Sequence, residues 1–125
     1  MKKALITCGR WSFDAEFNDS KTAQMILNET PLSGETNLWG DEIYFPILFT
    51  AELEENAVEE VEVGTIAYWP PGKAFCIFFG PTPVSTSLKP RGYSPVNVIG
   101  KIHGNLEDLK NIIPGEAIKV ELAVP

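Results

Sequence analysis

The strongest constraint on this chain is the way prolines and glycines cut it into short apolar segments. Ten prolines and ten glycines are spread through 125 residues. That excess favours many short elements joined by turns over a helical bundle, because each proline removes a backbone donor and most glycines mark turns. Between the breaks, the apolar residues favour strands. Trp11, Phe13, Ala15 and Phe17 alternate with Ser12, Asp14 and Glu16, which is the period of a half-buried strand. Residues 5–17 therefore read as a hairpin turning at Gly9-Arg10.

Leu38 to Phe49 is rich in aromatic and β-branched residues and reads as one or two strands, with Pro46 marking an edge or bulge. Thr65–Trp69 and Ala74–Phe79 are apolar runs joined by the rigid turn Pro70-Pro71-Gly72-Lys73. Val96–His103 and Ala117–Val124 supply two more strands. Residues 80–95, with four prolines and two glycines, read as a long ordered loop of the kind that often carries function.

Only two segments read as helical. Asp19 or Ser20 caps the first, from Lys21 to Asn28, where Ala23, Ile26 and Leu27 fall at helical spacing and which Pro31 and Gly34 end. Asn105 caps the second, Leu106 to Ile113, with Asp108 suited to its positive end and Pro114-Gly115 as its break. About eight short strands and two short helices predict a mainly β fold, a closed eight-stranded β-barrel capped by the helices. Residues 1–125 form one domain, with no room for a linker.

Charge and cysteine usage narrow the partners. Seventeen acidic residues against ten basic ones give a net charge of −7, which opposes phosphate backbones and anionic membranes, so neither nucleic acid nor membrane is expected as a partner. No apolar run approaches the ~20 residues needed to span a bilayer. The opening Lys2-Lys3-Ala4-Leu5-Ile6 stops short of a signal peptide, which predicts a cytoplasmic protein. Cys8 and Cys76 sit in apolar runs as buried thiols, and with His103 as the single histidine and no Cys-x-x-Cys, no metal and no cofactor are expected. Glu52, Glu54, Glu55, Glu59, Glu60 and Glu62 form an acidic stretch, residues 52–62, without Lys or Arg. It reads as a solvated loop and a charge-guarded edge strand, or as a weak cation or cationic-partner site whose spacing fits no EF-hand.

Several segments resemble the cyclophilin fold. Asp19-Ser-Lys-Thr-Ala-Gln-Met-Ile is similar to its first helix, and residues 97–112 to its late strand running into the last helix. A closer resemblance is to the small prokaryotic cyclophilin-like family, carried by Trp39-Gly-Asp-Glu-Ile-Tyr-Phe, Ala67-Tyr-Trp-Pro-Pro-Gly-Lys-Ala, Phe78-Phe-Gly-Pro-Thr-Pro and Val96-Asn-Val-Ile-Gly-Lys-Ile. That resemblance runs from about residue 3 to 123 and implies an eight-stranded barrel with two capping helices and no established function.

The resemblance also tests prolyl isomerisation, whose uncatalysed barrier is ~18–20 kcal/mol. In cyclophilins an arginine after phenylalanine-histidine donates to the prolyl nitrogen. The corresponding region here, residues 38–45, holds Asp41 and Glu42 and no basic residue, and Ile77 stands where the glutamine would be. Arg10 lies in a tight turn, which leaves Arg91 as the one replacement arginine, since lysines lack the planar fork. The chain therefore does not read as an ordinary peptidyl-prolyl isomerase.

Aromatic residues are the remaining signal. About half of them must be core; Tyr68 and Trp69 point to opposite faces of their strand, so they read either as plain packing or with one of them lining a groove walled by Pro70-Pro71. Asp41 and Glu42 also face opposite ways and cannot form an acid/base dyad. They read first as solvated strand-end charges; the alternative is a single buried carboxyl group, Glu42, flanked by Trp39 and Tyr44, with a raised pKa that would hold a hydroxyl or amine. No phosphate loop or nucleophile elbow is present. The sequence reading is a barrel that binds a small ligand or extended peptide in a groove lined by Trp39, Glu42, Tyr44, Tyr68, Trp69 and Phe78. Its alternatives are a weak isomerase using Arg91 and a subunit, homo-oligomeric or otherwise, using the acidic stretch or long loop as an interface.

Overall fold

The computed structural model describes residues 2–123. It contains ten strands: β1 (Lys2–Cys8), β2 (Trp11–Phe17), β3 (Leu32–Glu35), β4 (Asn37–Leu38), β5 (Glu42–Pro46), β6 (Val58–Glu60), β7 (Thr65–Trp69), β8 (Ala74–Phe78), β9 (Arg91–Ile102) and β10 (Ala117–Leu122). One α-helix, α1 (Lys21–Asn28), and a six-residue 3₁₀ helix, Leu106–Asn111, join them, together with a single 3₁₀ turn at Pro70–Gly72.

The sheet runs β3-β10-β1-β2-β9-β7-β8-β5-β4, with β6 pairing on β9, and every described pairing is antiparallel. The fold is mainly β with two short helices, as the sequence predicts. The closed eight-stranded barrel is corrected in two respects. The described residues form ten strands, and their hydrogen-bonded order runs from β3 at one end to β4 at the other. Those end strands are neighbours in sequence, separated by Thr36 alone. Thr36 is tied to the segment before β10, donating from its N–H to the Glu116 carbonyl and accepting at its own carbonyl from Gly115.

Alternation builds the core. Phe13, Ala15 and Phe17 of β2, Ile43 and Phe45 of β5, Ile66 and Tyr68 of β7, and Phe75 and Ile77 of β8 face one side and pack as a single cluster. The α-helix begins at Ser20, whose hydroxyl accepts from the Ala23 N–H at 3.2 Å, and buries Ala23, Ile26 and Leu27 in that cluster. Leu109 of the 3₁₀ helix and Ile112 beyond it also join the cluster. The second helical segment is thus present, but it ends at Asn111 and is 3₁₀ rather than α. The strand predicted to reach Val124 ends at Leu122; Val124 lies outside the described residues.

The opposite face of β5, β8 and β7 carries a smaller cluster of Ala67, Ala74, Cys76 and Phe78 with Val61 and Val96. Tyr44, Trp69 and Val98 pack against it in partial exposure. This face holds the candidate site.

Candidate ligand cavity

The site starts with a two-residue hairpin loop. Trp39 and Glu42 exchange backbone hydrogen bonds, the Trp39 N–H donating to Glu42 at 2.9 Å and the Glu42 N–H to Trp39 at 3.1 Å. Gly40 takes the positive φ of 58° that such a loop needs at its first position. The exchange makes Trp39 and Glu42 a cross-strand pair whose side chains share a face. The loop is held in place by the Asp41 N–H, which donates to the Pro81 carbonyl, and by the Phe79 N–H, which donates to the Asp41 carbonyl.

Register then aligns the partners. Glu42 lies opposite Phe78, Tyr44 opposite Cys76, Cys76 opposite Ala67 and Ala74 opposite Trp69. Trp69 is fixed on two sides. Its indole N–H donates to the Ser94 hydroxyl at 2.7 Å, and Gly72 lies so close to its ring that a Cβ there would come within 2.7 Å of the ring atoms. Tyr93, 72% exposed, stands edge-on to both Trp39 and Trp69, each ring centroid 6.2 Å away.

These groups enclose a cavity of about 320 Å³ lined by Trp39, Glu42, Tyr44, Trp69, Phe78, Gly92, Tyr93 and Val96. Its walls contain five aromatic rings, one carboxyl group and no basic side chain. Glu42 is 7% exposed, and burial pushes its carboxyl up from the ordinary 4.5 to about 7. The Cys76 thiol beside it pulls the other way by hydrogen bonding to the ionised form, and loses. Burial and the neighbouring Glu42 in turn push the Cys76 thiol well up, and burial, followed by Glu116, pushes Cys8 up to about 11. Both cysteines are free, buried and protonated, so neither is an activated nucleophile.

The structure brings together five of the six residues that the sequence placed in the groove: Trp39, Glu42, Tyr44, Trp69 and Phe78. Tyr68 is the exception. It is fully buried on the inner face, where its hydroxyl donates to the Phe49 carbonyl at 3.0 Å and accepts from the Ala51 N–H at 3.3 Å. The groove residues that sequence reasoning missed are Gly92, Tyr93 and Val96, all delivered by β9. Residues 91–95 read as loop because of Pro90, Gly92 and Pro95, yet they begin the longest strand. Arg91 neighbours the cavity in sequence but does not line it; its guanidinium is ion-paired with Glu59.

The acidic stretch is partly tied to the fold. The Glu54 carboxylate accepts from the Thr22 N–H and hydroxyl, while the buried Asn97 side chain accepts from the Glu54 N–H at 2.8 Å and donates to the Glu52 carbonyl at 2.9 Å. Glu59 holds Arg91 and Glu62 holds Lys89. Val58–Glu60 is the predicted charged edge strand. Among the described residues no three His, Cys, Asp or Glu side chains converge as metal ligands, and no helix is long and apolar enough to cross a membrane. A second cavity, about 270 Å³ beside α1, is bordered by this same Thr22–Glu54 network, whose polar groups already bond one another.

Comparison with known proteins places this geometry in a family. The solution structure of the hypothetical protein AF2241 from Archaeoglobus fulgidus superposes with a TM-score of 0.82 at 41% identity, covering 98% of this chain and 95% of that one. No curated protein matches the chain. The cyclophilin-like family model matches residues 2–121, and the chain belongs to that family.

Proposed function

We propose that the protein is a binding module that holds a small, partly aromatic or aliphatic ligand in the Trp39–Trp69 cavity, with Glu42 as the polar group that orients it. The observation that carries this reading is a nearly buried carboxyl group opening onto an aromatic-walled cavity with no basic partner. Leaving a carboxyl group there costs stability, and a packing role alone would be served better by an apolar side chain. The volume lies at the lower end of those that take small organic ligands. Tyr93 makes edge contacts with both tryptophans, and three rings set this closely suit a compact ligand better than an extended peptide.

The isomerase alternative requires a free guanidinium over the cavity, and the engagement of Arg91 by Glu59 weighs against it. The interface alternative relies on the acidic stretch, of which Glu54, Glu59 and Glu62 already have partners within the chain.

The test is native mass spectrometry of freshly purified protein combined with a thermal-shift screen of a metabolite library. A ligand that stabilises wild type and not Trp69→Ala supports the cavity. No stabilising compound, together with a concentration-dependent dimer, favours the interface.

A further inference from the structure

We infer that the cavity selects organic ammonium ions: an amine or methylated ammonium whose charge pairs with Glu42 while its alkyl groups lie against the faces of Trp39, Trp69 and Tyr93. This rests on the binding-module reading above and names the ligand class for the same site.

Three observations converge. The walls combine one carboxylate-forming group with five aromatic rings and carry no Lys, Arg or His to compete for either. Aromatic faces attract cations, most strongly when water is excluded, and they do so without hydrogen bonds, which suits alkylated nitrogen. The two tryptophans are set around a shared neighbour, with Tyr93 edge-on to each at 6.2 Å, so three rings from three separate chain segments surround one space. Trp69 is moreover held by Ser94 and Gly72, so the wall is built before a ligand arrives.

The chemistry also fixes a sign for pH. The titratable groups lining the cavity are Glu42, Tyr44 and Tyr93, with the Cys76 thiol beside Glu42. Of the other charged or titratable groups on these elements, Arg91 is paired with Glu59, the Tyr68 hydroxyl is bonded on the inner face, and Asp41 and Lys101 do not line the cavity. Burial raises the Glu42 carboxyl to about 7, which brings its change of charge near neutrality. A cation binds the ionised form. Affinity therefore rises about tenfold per pH unit below 7 and levels off above it, with a proton released on binding in the rising range. A neutral ligand that accepts a hydrogen bond from the protonated carboxyl would show the opposite slope.

The experiment is isothermal calorimetry or NMR titration in phosphate buffer, since Tris is itself an organic ammonium. The probes are choline and a panel of alkyl- and arylammonium ions, each paired with its neutral carbon isostere (3,3-dimethylbutanol for choline). The expected result is at least about tenfold tighter binding of the cation, collapsing toward parity in Glu42→Gln. In Tyr93→Ala, at an exposed position that leaves the fold intact, the cation weakens about fivefold. Equal binding of cation and isostere, or an affinity that falls with rising pH, overturns the ammonium assignment and leaves the cavity reading standing. The same holds if no ammonium binds but a neutral library compound does so in a Trp69-dependent way. If nothing binds, both fail.

Discussion

The two faces of the β5-β8-β7 segment are made by alternate residues of the same strands, yet they solve different problems. The inner face, with Ile43, Phe45, Ile66, Tyr68, Phe75 and Ile77, is buried in the main core cluster beneath the α-helix and the 3₁₀ helix. Its one polar atom, the Tyr68 hydroxyl, is satisfied by backbone at both of its roles. The outer face, with Glu42, Tyr44, Ala67, Trp69, Cys76 and Phe78, carries equally bulky residues but is left with a cavity and a destabilised carboxyl group. What separates them is not hydrophobicity but completion. Folding finishes the inner face within the chain, whereas the outer face still has room for a ligand.

The largest way to break that contrast lies on the inner face. Phe75 is fully buried, with its ring centroid 5.3 Å from that of Phe45 and 6.3 Å from that of Phe17. Phe75→Ala is expected to lose about 3–5 kcal/mol in urea unfolding. Trp69→Ala, on the half-exposed outer side, should lose less stability while abolishing ligand-induced stabilisation. If the two substitutions cost the same, the outer face is ordinary core.

The next effect is a pH-dependent gain. Because the folded-state pKa of Glu42 is raised, protonated Glu42 is compatible with the fold and its ionisation is not. Stability from this group is fully present below about 4.5 and is lost as pH rises through about 7. At about 1.4 kcal/mol per pH unit, the penalty at pH 8 is on the order of 3 kcal/mol. Glu42→Gln should therefore unfold at higher urea than wild type at pH 8 and match it near pH 4. A variant less stable than wild type at pH 8 would mean that the carboxylate is favourably partnered.

Smaller effects sharpen the same line. Tyr68→Phe strands the Ala51 N–H and removes a bond to Phe49, so it should cost about 1 kcal/mol in urea unfolding and leave ligand affinity unchanged. Arg91→Ala removes a half-exposed ion pair with Glu59 and should change stability by less than about 1 kcal/mol. If it instead abolished a prolyl-isomerase activity in a proline cis/trans assay, the outer face would be catalytic.

How much of this was legible in the sequence follows from how local each feature is. Trp39, Glu42 and Tyr44 could be placed together because a Gly-containing two-residue loop sets their register, and Trp69 and Phe78 because alternation over short strands is a local property. Alternation opposes Tyr68 to Trp69, but nothing local says which face is the inner one, so the sequence alone does not separate Tyr68 from the groove. Tyr93 and Val96 were hidden for a different reason. Their strand is held by non-local pairing to β6 and β7, with register breaks on both sides, and its prolines and Gly92 mimic a loop. A tyrosine beside Gly92 was the available clue. Leu32–Glu35 has no strand-like pattern and pairs with β10 from the far end of the chain. Thr36, between β3 and β4, is held by hydrogen bonds to residues 113–116, a long-range contact that no window of sequence contains.

The most direct measurement is a ¹³C NMR titration of the Glu42 carboxyl in wild-type protein, free and with the tightest-binding ammonium probe. A ligand site predicts titration near 7 in the free protein and a clear fall when the probe is bound. A carboxyl that titrates near 4.5 in the free protein and does not move on adding any compound that stabilises the fold would contradict it.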